Sequence, residues 1–241
     1  MNDIRPPASP EALVALEGEL RTLLGERGVS VELAAREKAS LDGSRLSPVI
    51  SEQLPLGLAD LVAYPATAEQ IAEVVAAAVR HGVPITPRGK GTGNYGQAIP
   101  MSGGLVLDMT RAKAIVEVGD GFITAEAGAT MVALEQAANK AGQQILMYPS
   151  TAQSSLGGFL SGGSGGTGSI KHGSNSSGFV TALDVVHASP TRGSCTSRAT
   201  TRSPTSTTTA RPASSPAPPS ASSRCRTGAA SSPASTRSSR R

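Results

Sequence analysis

Val83-Pro-Ile-Thr-Pro-Arg-Gly-Lys-Gly-Thr-Gly-Asn-Tyr-Gly96 is the stretch from which the fold of this chain is read. It begins as a short buried strand over 83–86 and runs into a loop carrying Gly89, Gly91, Gly93 and Gly96. Glycine has no Cβ and takes positive φ readily. Successive backbone N–H groups therefore turn toward one concavity, which suits a phosphate or diphosphate. Arg88 and Lys90 add positive charge beside it. The loop reads as a holder for the diphosphate of a dinucleotide.

Other readings of the loop are weaker. Gly91, Gly93 and Gly96 have the G-x-G-x-x-G spacing, but that fingerprint opens directly into a helix. Here Gln97-Ala-Ile-Pro-Met-Ser-Gly-Gly104 follows, and its proline and two glycines oppose a helix. Gly89-Lys90 has the look of a P-loop, yet Gly91 stands where Ser or Thr is required. A Gly-rich surface turn without a ligand is the plain alternative.

Composition divides the chain. Of 241 residues, 38% are hydrophobic and 2% aromatic, thin for one core over the full length. All the Phe and Tyr precede residue 180, whereas Cys195 and Cys225 follow it. The nine Arg of 188–241 leave 13 of the 22 basic residues in 1–187, which also holds all 18 Asp and Glu. The body is therefore −5 and the tail +9, so the overall +4 does not describe a basic protein. An acidic body argues against a nucleic-acid-binding fold. No apolar run suggests a signal peptide or membrane span, and the body has no cysteine to bridge. A cytoplasmic enzyme fits, with no metal expected.

The order of elements follows from periodicity. Ser9 and Pro10 open an amphipathic helix over 10–25, with Leu13, Leu16, Leu20, Leu23 and Leu24 on its apolar face and Gly25 ending it. Residues 36–47 read as an irregular connection, and 58–64 as a strand. Thr67 caps a second helix whose face is Ile71, Val74, Val75, Ala78 and Val79, with Gly82 as its stop. Strand, helix, strand and Gly loop make a βαβ order. A strand over 104–109, a hairpin of 114–118 with 122–126, a helix from Thr130 and a brief strand over 145–147 follow. The class is α+β.

A second Gly-rich stretch runs from Ser150 to Gly168. Linkers have similar composition, but Leu156, Phe159 and Leu160 stand within it at helical spacing and require burial. Pro149-Ser150 reads as the cap of a helical turn, and 180–186 as a strand. Two Gly-rich loops, each after a strand, close on one extended cofactor from two sides.

The segments VAYPATAEQIAEVVAAAVRHGVPITPRGKGTGNYG, GFITAEAGATMVALEQAANKAGQQILMYPS, SSLGGFLSGGSGGTGSIKHG and FVTALDVV resemble, in order, the FAD-binding domain of the FAD-linked oxidases and dehydrogenases. This is the vanillyl-alcohol-oxidase or PCMH-type family, which includes glycolate and D-lactate oxidoreductases. The resemblance covers about 55–187 and implies a PCMH-type domain of two small α/β subdomains. It implies that Arg88, Gly89, Lys90, Gly91, Thr92, Gly93 and Asn94 surround the FAD diphosphate. Pro149, Ser150, Thr151, Ser155, Leu156, Gly157 and Gly158 would line the flavin side. Gly162, Gly166, Ile170 and Gly173 would continue the groove, with Val185 and Val186 on a strand beside it. Some members tether FAD through a His in the first Gly loop; this loop has none, which implies non-covalent FAD. The implied partner is a small organic substrate such as a 2-hydroxy acid, with the electron acceptor and the catalytic acid–base residues left unassigned. A sugar-nucleotide reductase using NADPH shares the same module. His172 reads as a polar loop residue, Glu126 and Asp184 as structural, Asp108 as a possible orienter of the Gly loop, and Tyr95 as packing on cofactor or loop.

The chain divides into an N-terminal helix and connection (1–50), an incomplete FAD-binding domain (51–187) and a tail (188–241). The tail holds only Ser, Thr, Ala, Pro, Arg, Gly and Cys, and is expected to be disordered. Codon arithmetic suggests a frameshift. If each new codon takes the last base of one tail codon and the first two of the next, a tail Ser becomes Phe, Leu, Ile or Val, and a tail Thr becomes Tyr, His, Asn or Asp. From Ser189 the shifted reading admits ADPRVVHLEGDDALAYIHNYGTTGVITG, similar to the family's continuation toward a cap domain. The competing reading is a genuine basic tail on a non-enzymatic nucleotide- or nucleic-acid-binding protein.

Overall fold

The computed structural model describes residues 7–54, 56–163, 165–175, 179–189 and 194–197. Its first unit is a four-stranded sheet. Helix α1 (Pro10–Leu24) begins at Ser9, whose hydroxyl accepts from Ala12 N–H at 3.2 Å, and ends at Gly25 with φ +74°. Strand β1 (Val29–Ser30), helices α2 (Leu33–Ala39) and α3 (Pro48–Gln53), and strand β2 (Leu61–Ala63) follow. Helix α4 (Ala68–Arg80) is capped by Thr67; the Gln70 side chain reaches back to accept from Ala66 N–H at 2.7 Å. Strands β3 (Ile85–Arg88) and β4 (Leu105–Asp108) complete the sheet.

The strand order is β1-β2-β4-β3, with β1 antiparallel and the others parallel. Thus β4 inserts between the two strands of the expected βαβ unit. Leu105, Val106 and Leu107 are all buried, as a strand covered on both faces requires. Strand β3 contains Pro87, which donates no ladder hydrogen bond and belongs at an edge. Leu61, Ala63, Leu105 and Leu107 face α1 and α4, meeting Leu16, Leu20, Ile71 and Val74 in the main core. Val62 and Val106, one residue out of step, face Ala39, Ala59 and Tyr64.

The second unit is smaller. Strands β5 (Ile115–Gly119) and β6 (Phe122–Ala125) form an antiparallel hairpin, turning at Gly121 with φ +81°. Helix α5 (Met131–Lys140), capped by Thr130, packs Met131, Leu134 and Ala138 with Ile145, Met147 and Phe159. Helices α6 (Leu156–Ser161) and α7 (Ser169–His172) lead to β7 (Leu183–Val186), which pairs antiparallel with β8 (Ser194–Ser197). The disorder expectation for 188–241 is corrected at 194–197, which pair with β7 as β8; 190–193 and 198–241, on which it also falls, lie outside the described residues.

Three local readings are corrected. Residues 36–47 are not wholly irregular: α2 runs to Ala39, because Ala39 buries against the sheet. Residues 145–147 form no strand; their apolar run reflects burial in a connection, and the nearest pairing is an isolated bridge from Tyr148 to Thr167. The helix in the second Gly stretch is capped at Ser155, not at Pro149-Ser150, since Leu156 and Phe159 are its inward residues.

Candidate cofactor-binding site

The first Gly loop leaves the carboxyl end of β3, where the parallel strands β2 and β4 also end. Crevices at such ends are the usual ligand sites of parallel sheets. The backbone N–H groups of Lys90, Gly91, Thr92, Gly93 and Asn94 donate to no acceptor among the described residues. Five consecutive unspent donors, with a positive φ at Gly91, are left available to an anion. Lys90 is exposed beside them. Tyr95 N–H is spent on Gln97 Oε1 at 3.1 Å, and the Tyr95 ring is 85% exposed, turned away from the loop's packing.

The two Gly-rich regions meet. A Cβ on Gly89 would overlap the Ser155 hydroxyl. Ser154 Oγ stands 2.8 Å from Thr92 Oγ1 and 2.6 Å from Thr151 Oγ1. These three hydroxyls own three protons and share two bonds, so one proton is left over at the junction. Ser154 and Ser155 are buried at the junction. Helix α6 seats against 127–129 through Leu156 N–H to Ala129 O (2.7 Å) and Gly157 N–H to Ala127 O (2.8 Å). A Cβ on Gly157 would stand 2.8 Å from Ala127 Cβ.

The other expected site residues fall as follows. Pro149, Ser150 and Thr151 lead into this junction, and Gly158 lies on α6 beside Ser155. Gly162 ends α6 and Gly173 ends α7. Gly166 packs under the Tyr148 carbonyl, and the Ile170 side chain is fully exposed. Val185 is partly exposed, while Val186 packs on the main core.

Asp108 accepts from Thr110 N–H (2.9 Å) and Thr110 Oγ1 (2.5 Å), so it caps the turn after β4 rather than holding the Gly loop. Glu126 accepts from Ala114 N–H at 2.7 Å, a structural role. At the end of β2, burial and the Asp108 charge push the Tyr64 hydroxyl up, against the pull of Arg111 and Arg88; Arg111 lies 4.8 Å from the ring centroid. Sequence reading missed Ser154, although a Ser beside an apolar helical face was the available signal. It also missed residues 41–43, which touch the first loop from far earlier in the chain.

The model of the FAD binding domain matches residues 59–193, and the chain belongs to that family. It is 34% identical over 113 residues to an FAD-linked oxidoreductase of Mycobacterium tuberculosis, covering 46% of this chain and 25% of that protein. It is 33% identical over 135 residues to the glycolate oxidase subunit GlcD of Bacillus subtilis (54% and 28%), and 27% identical over 129 residues to the D-lactate dehydrogenase of Archaeoglobus fulgidus (53% and 29%). Among solved structures, an alkyldihydroxyacetonephosphate synthase superposes with a TM-score of 0.66 at 24% identity, over 80% of this chain and 39% of that one. A p-cresol methylhydroxylase superposes at 0.58 and 19% identity, over 79% and 36%. The chain spans little more than a quarter of the curated relatives' length. The cofactor is FAD, and the chemistry of the loop fits it: N–H donors left over for the diphosphate, among the described residues, and a spare hydroxyl proton between the two loops.

Proposed function

We propose that this chain is the cofactor-binding part of an FAD-dependent oxidoreductase acting on a small 2-hydroxy acid. Carrying this reading is one observation: five unspent backbone donors on the first Gly loop, locked to the second loop through Ser154. Residues 89–94 bind the diphosphate, and Thr151, Ser155, Leu156, Gly157 and Gly158 border the flavin. FAD, when bound, supplies the acceptor for the hydride leaving the substrate carbon. This chain's residues bind and orient it; no His stands in the first loop, so the attachment is non-covalent. Relatives named glycolate oxidase subunit and D-lactate dehydrogenase support the substrate class. Among the described residues no helix is long and apolar enough to cross a membrane, and a cytoplasmic site is part of the proposal. The family match favours this reading over a nucleic-acid-binding protein.

The test is reconstitution of the full chain with FAD, followed by acid precipitation. The expected result is a yellow protein that releases all its flavin to the supernatant. Failure to take up FAD would overturn the binding assignment, and flavin in the pellet would overturn the non-covalent one. The tail 188–241 is proposed to be an out-of-frame reading, on its composition and the shifted codons. Sequencing the gene across codons 180–200 decides it: a shifted frame that closes quickly ends that idea.

A further inference from the structure

Arg88 stands where charge alone would make it a phosphate ligand, yet its contacts point elsewhere. Its Nη1 donates to the Leu41 carbonyl, 47 residues earlier in the chain. The guanidinium lies over Gly91, so closely that a Cβ there would overlap it. Residues 40–44 form a strap that is itself anchored. Ser40 Oγ accepts from Ala59 N–H at 2.8 Å and donates to Arg36 O at 2.7 Å, while Arg36 Nε donates to Ala59 O at 2.6 Å. Asp42 accepts from Ser44 N–H at 2.9 Å and turns the strap. Gly43 then lies on the loop: a Cβ there would stand 3.0 Å from Gly93 O, 3.2 Å from Asn94 Oδ1 and 3.4 Å from Thr92 O.

We propose that Arg88 is a positioning residue, a clasp that holds the 40–44 strap onto the first Gly loop, and that the diphosphate is held by the loop's N–H groups and Lys90. This rests on the FAD reading above. A glycine-rich loop loses much conformational entropy on ordering. A strap that orders it beforehand raises affinity without touching the ligand. The planar guanidinium suits the task, since one edge reaches the Leu41 carbonyl while the plane covers Gly91; an ammonium has the charge but neither the fork nor the plane.

The experiment uses the full chain and its R88K, R88Q, G43V and K90Q variants. FAD affinity is read from quenching of flavin fluorescence at two ionic strengths, and amide hydrogen exchange over 89–97 is read without FAD. R88K and R88Q should weaken FAD alike, by about tenfold, the size of one lost hydrogen bond to a charged group. Both should speed exchange over 89–97, and R88K, which keeps the charge, should leave the salt dependence unchanged. G43V, which displaces the strap without changing charge, should do the same. K90Q should flatten the salt dependence and leave exchange as in the parent. The proposal is overturned if R88K binds FAD like the parent while R88Q loses affinity with a flatter salt dependence, or if exchange over 89–97 is unaltered in R88K. If the parent takes up no FAD, the FAD reading fails, and the exchange measurement still decides the clasp.

Discussion

The two Gly-rich regions look alike in composition and use their glycines differently. In the first, five consecutive N–H groups, Lys90 to Asn94, remain unspent. In the second the pattern is mixed: the N–H groups of Gly157, Gly162 and Gly163 are spent on the Ala127, Gly158 and Leu160 carbonyls, whereas those of Gly166 and Gly168 have no acceptor among the described residues. There the missing Cβ serves close packing, as where Gly166 passes under the Tyr148 carbonyl. Glycine content therefore signals close approach, and whether a ligand or another piece of chain approaches is settled by the fate of the N–H groups. The supporting units differ in the same sense. The first sheet is covered on both faces, whereas in the second unit Val116 is 65% exposed and Phe122 37%.

The largest expected effect tests the supporting units. Leu105→Ala, at the centre of the first sheet, should cost about 2–5 kcal/mol in urea unfolding. Val116→Ser in the second unit should stay within about 0.5 kcal/mol. Equal losses would erase the contrast between them.

A pair of glycine substitutions sharpens the contrast between the loops. Gly166→Ala sets a methyl against a backbone carbonyl and should cost about 1–3 kcal/mol without any ligand. Gly93→Ala meets only the end of the Gln97 side chain, 2.8 Å from the new Cβ, and displacing it gives up the exposed Tyr95 N–H to Gln97 Oε1 bond. Its unfolding free energy should fall by about 0.5 kcal/mol, the low end for one hydrogen bond, while FAD affinity falls because the neighbouring donors shift. A thermal melt and a flavin titration of both variants check this. Similar melts for both, or undiminished FAD affinity in Gly93→Ala, would show that the two loops are not specialised in this way.

The smallest effect is electrostatic. Burial raises the Glu19 carboxyl, but hydrogen bonds to His81 and Arg80 and the charges of both outweigh it, holding Glu19 below its ordinary 4.5. A carboxyl lowered by folding stabilises above its unfolded value, and that share is lost as pH falls from 4.5 through the lower folded value. Melting of the parent and Glu19→Gln should differ at neutral pH and converge in acid. A constant difference across that range would remove the pairing of α1 with α4 from the account.

Much of the fold was legible because local signals agreed. Ser9 and Thr67 cap the helices expected of them, and Gly25, Gly82 and Gly121 turn with positive φ. Where one signal stood alone, reading failed: the apolar run 145–147 recorded burial and not a strand. Both Gly loops were visible, but not that the first leaves five consecutive donors over while the glycines of the second serve mainly close packing.

By itself the sequence determined which segments carry the main helices, where the chain turns, and that there are two Gly-rich stretches, the first of them following an apolar strand. Periodicity, caps and glycine φ are local, so they are written residue by residue. Tertiary structure alone decided that β4 lies between β2 and β3, that Ser154 joins Thr92 to Thr151, and that residues 40–44 lie on a loop fifty positions later. Those contacts depend on which buried faces find one another, and no local pattern encodes that choice.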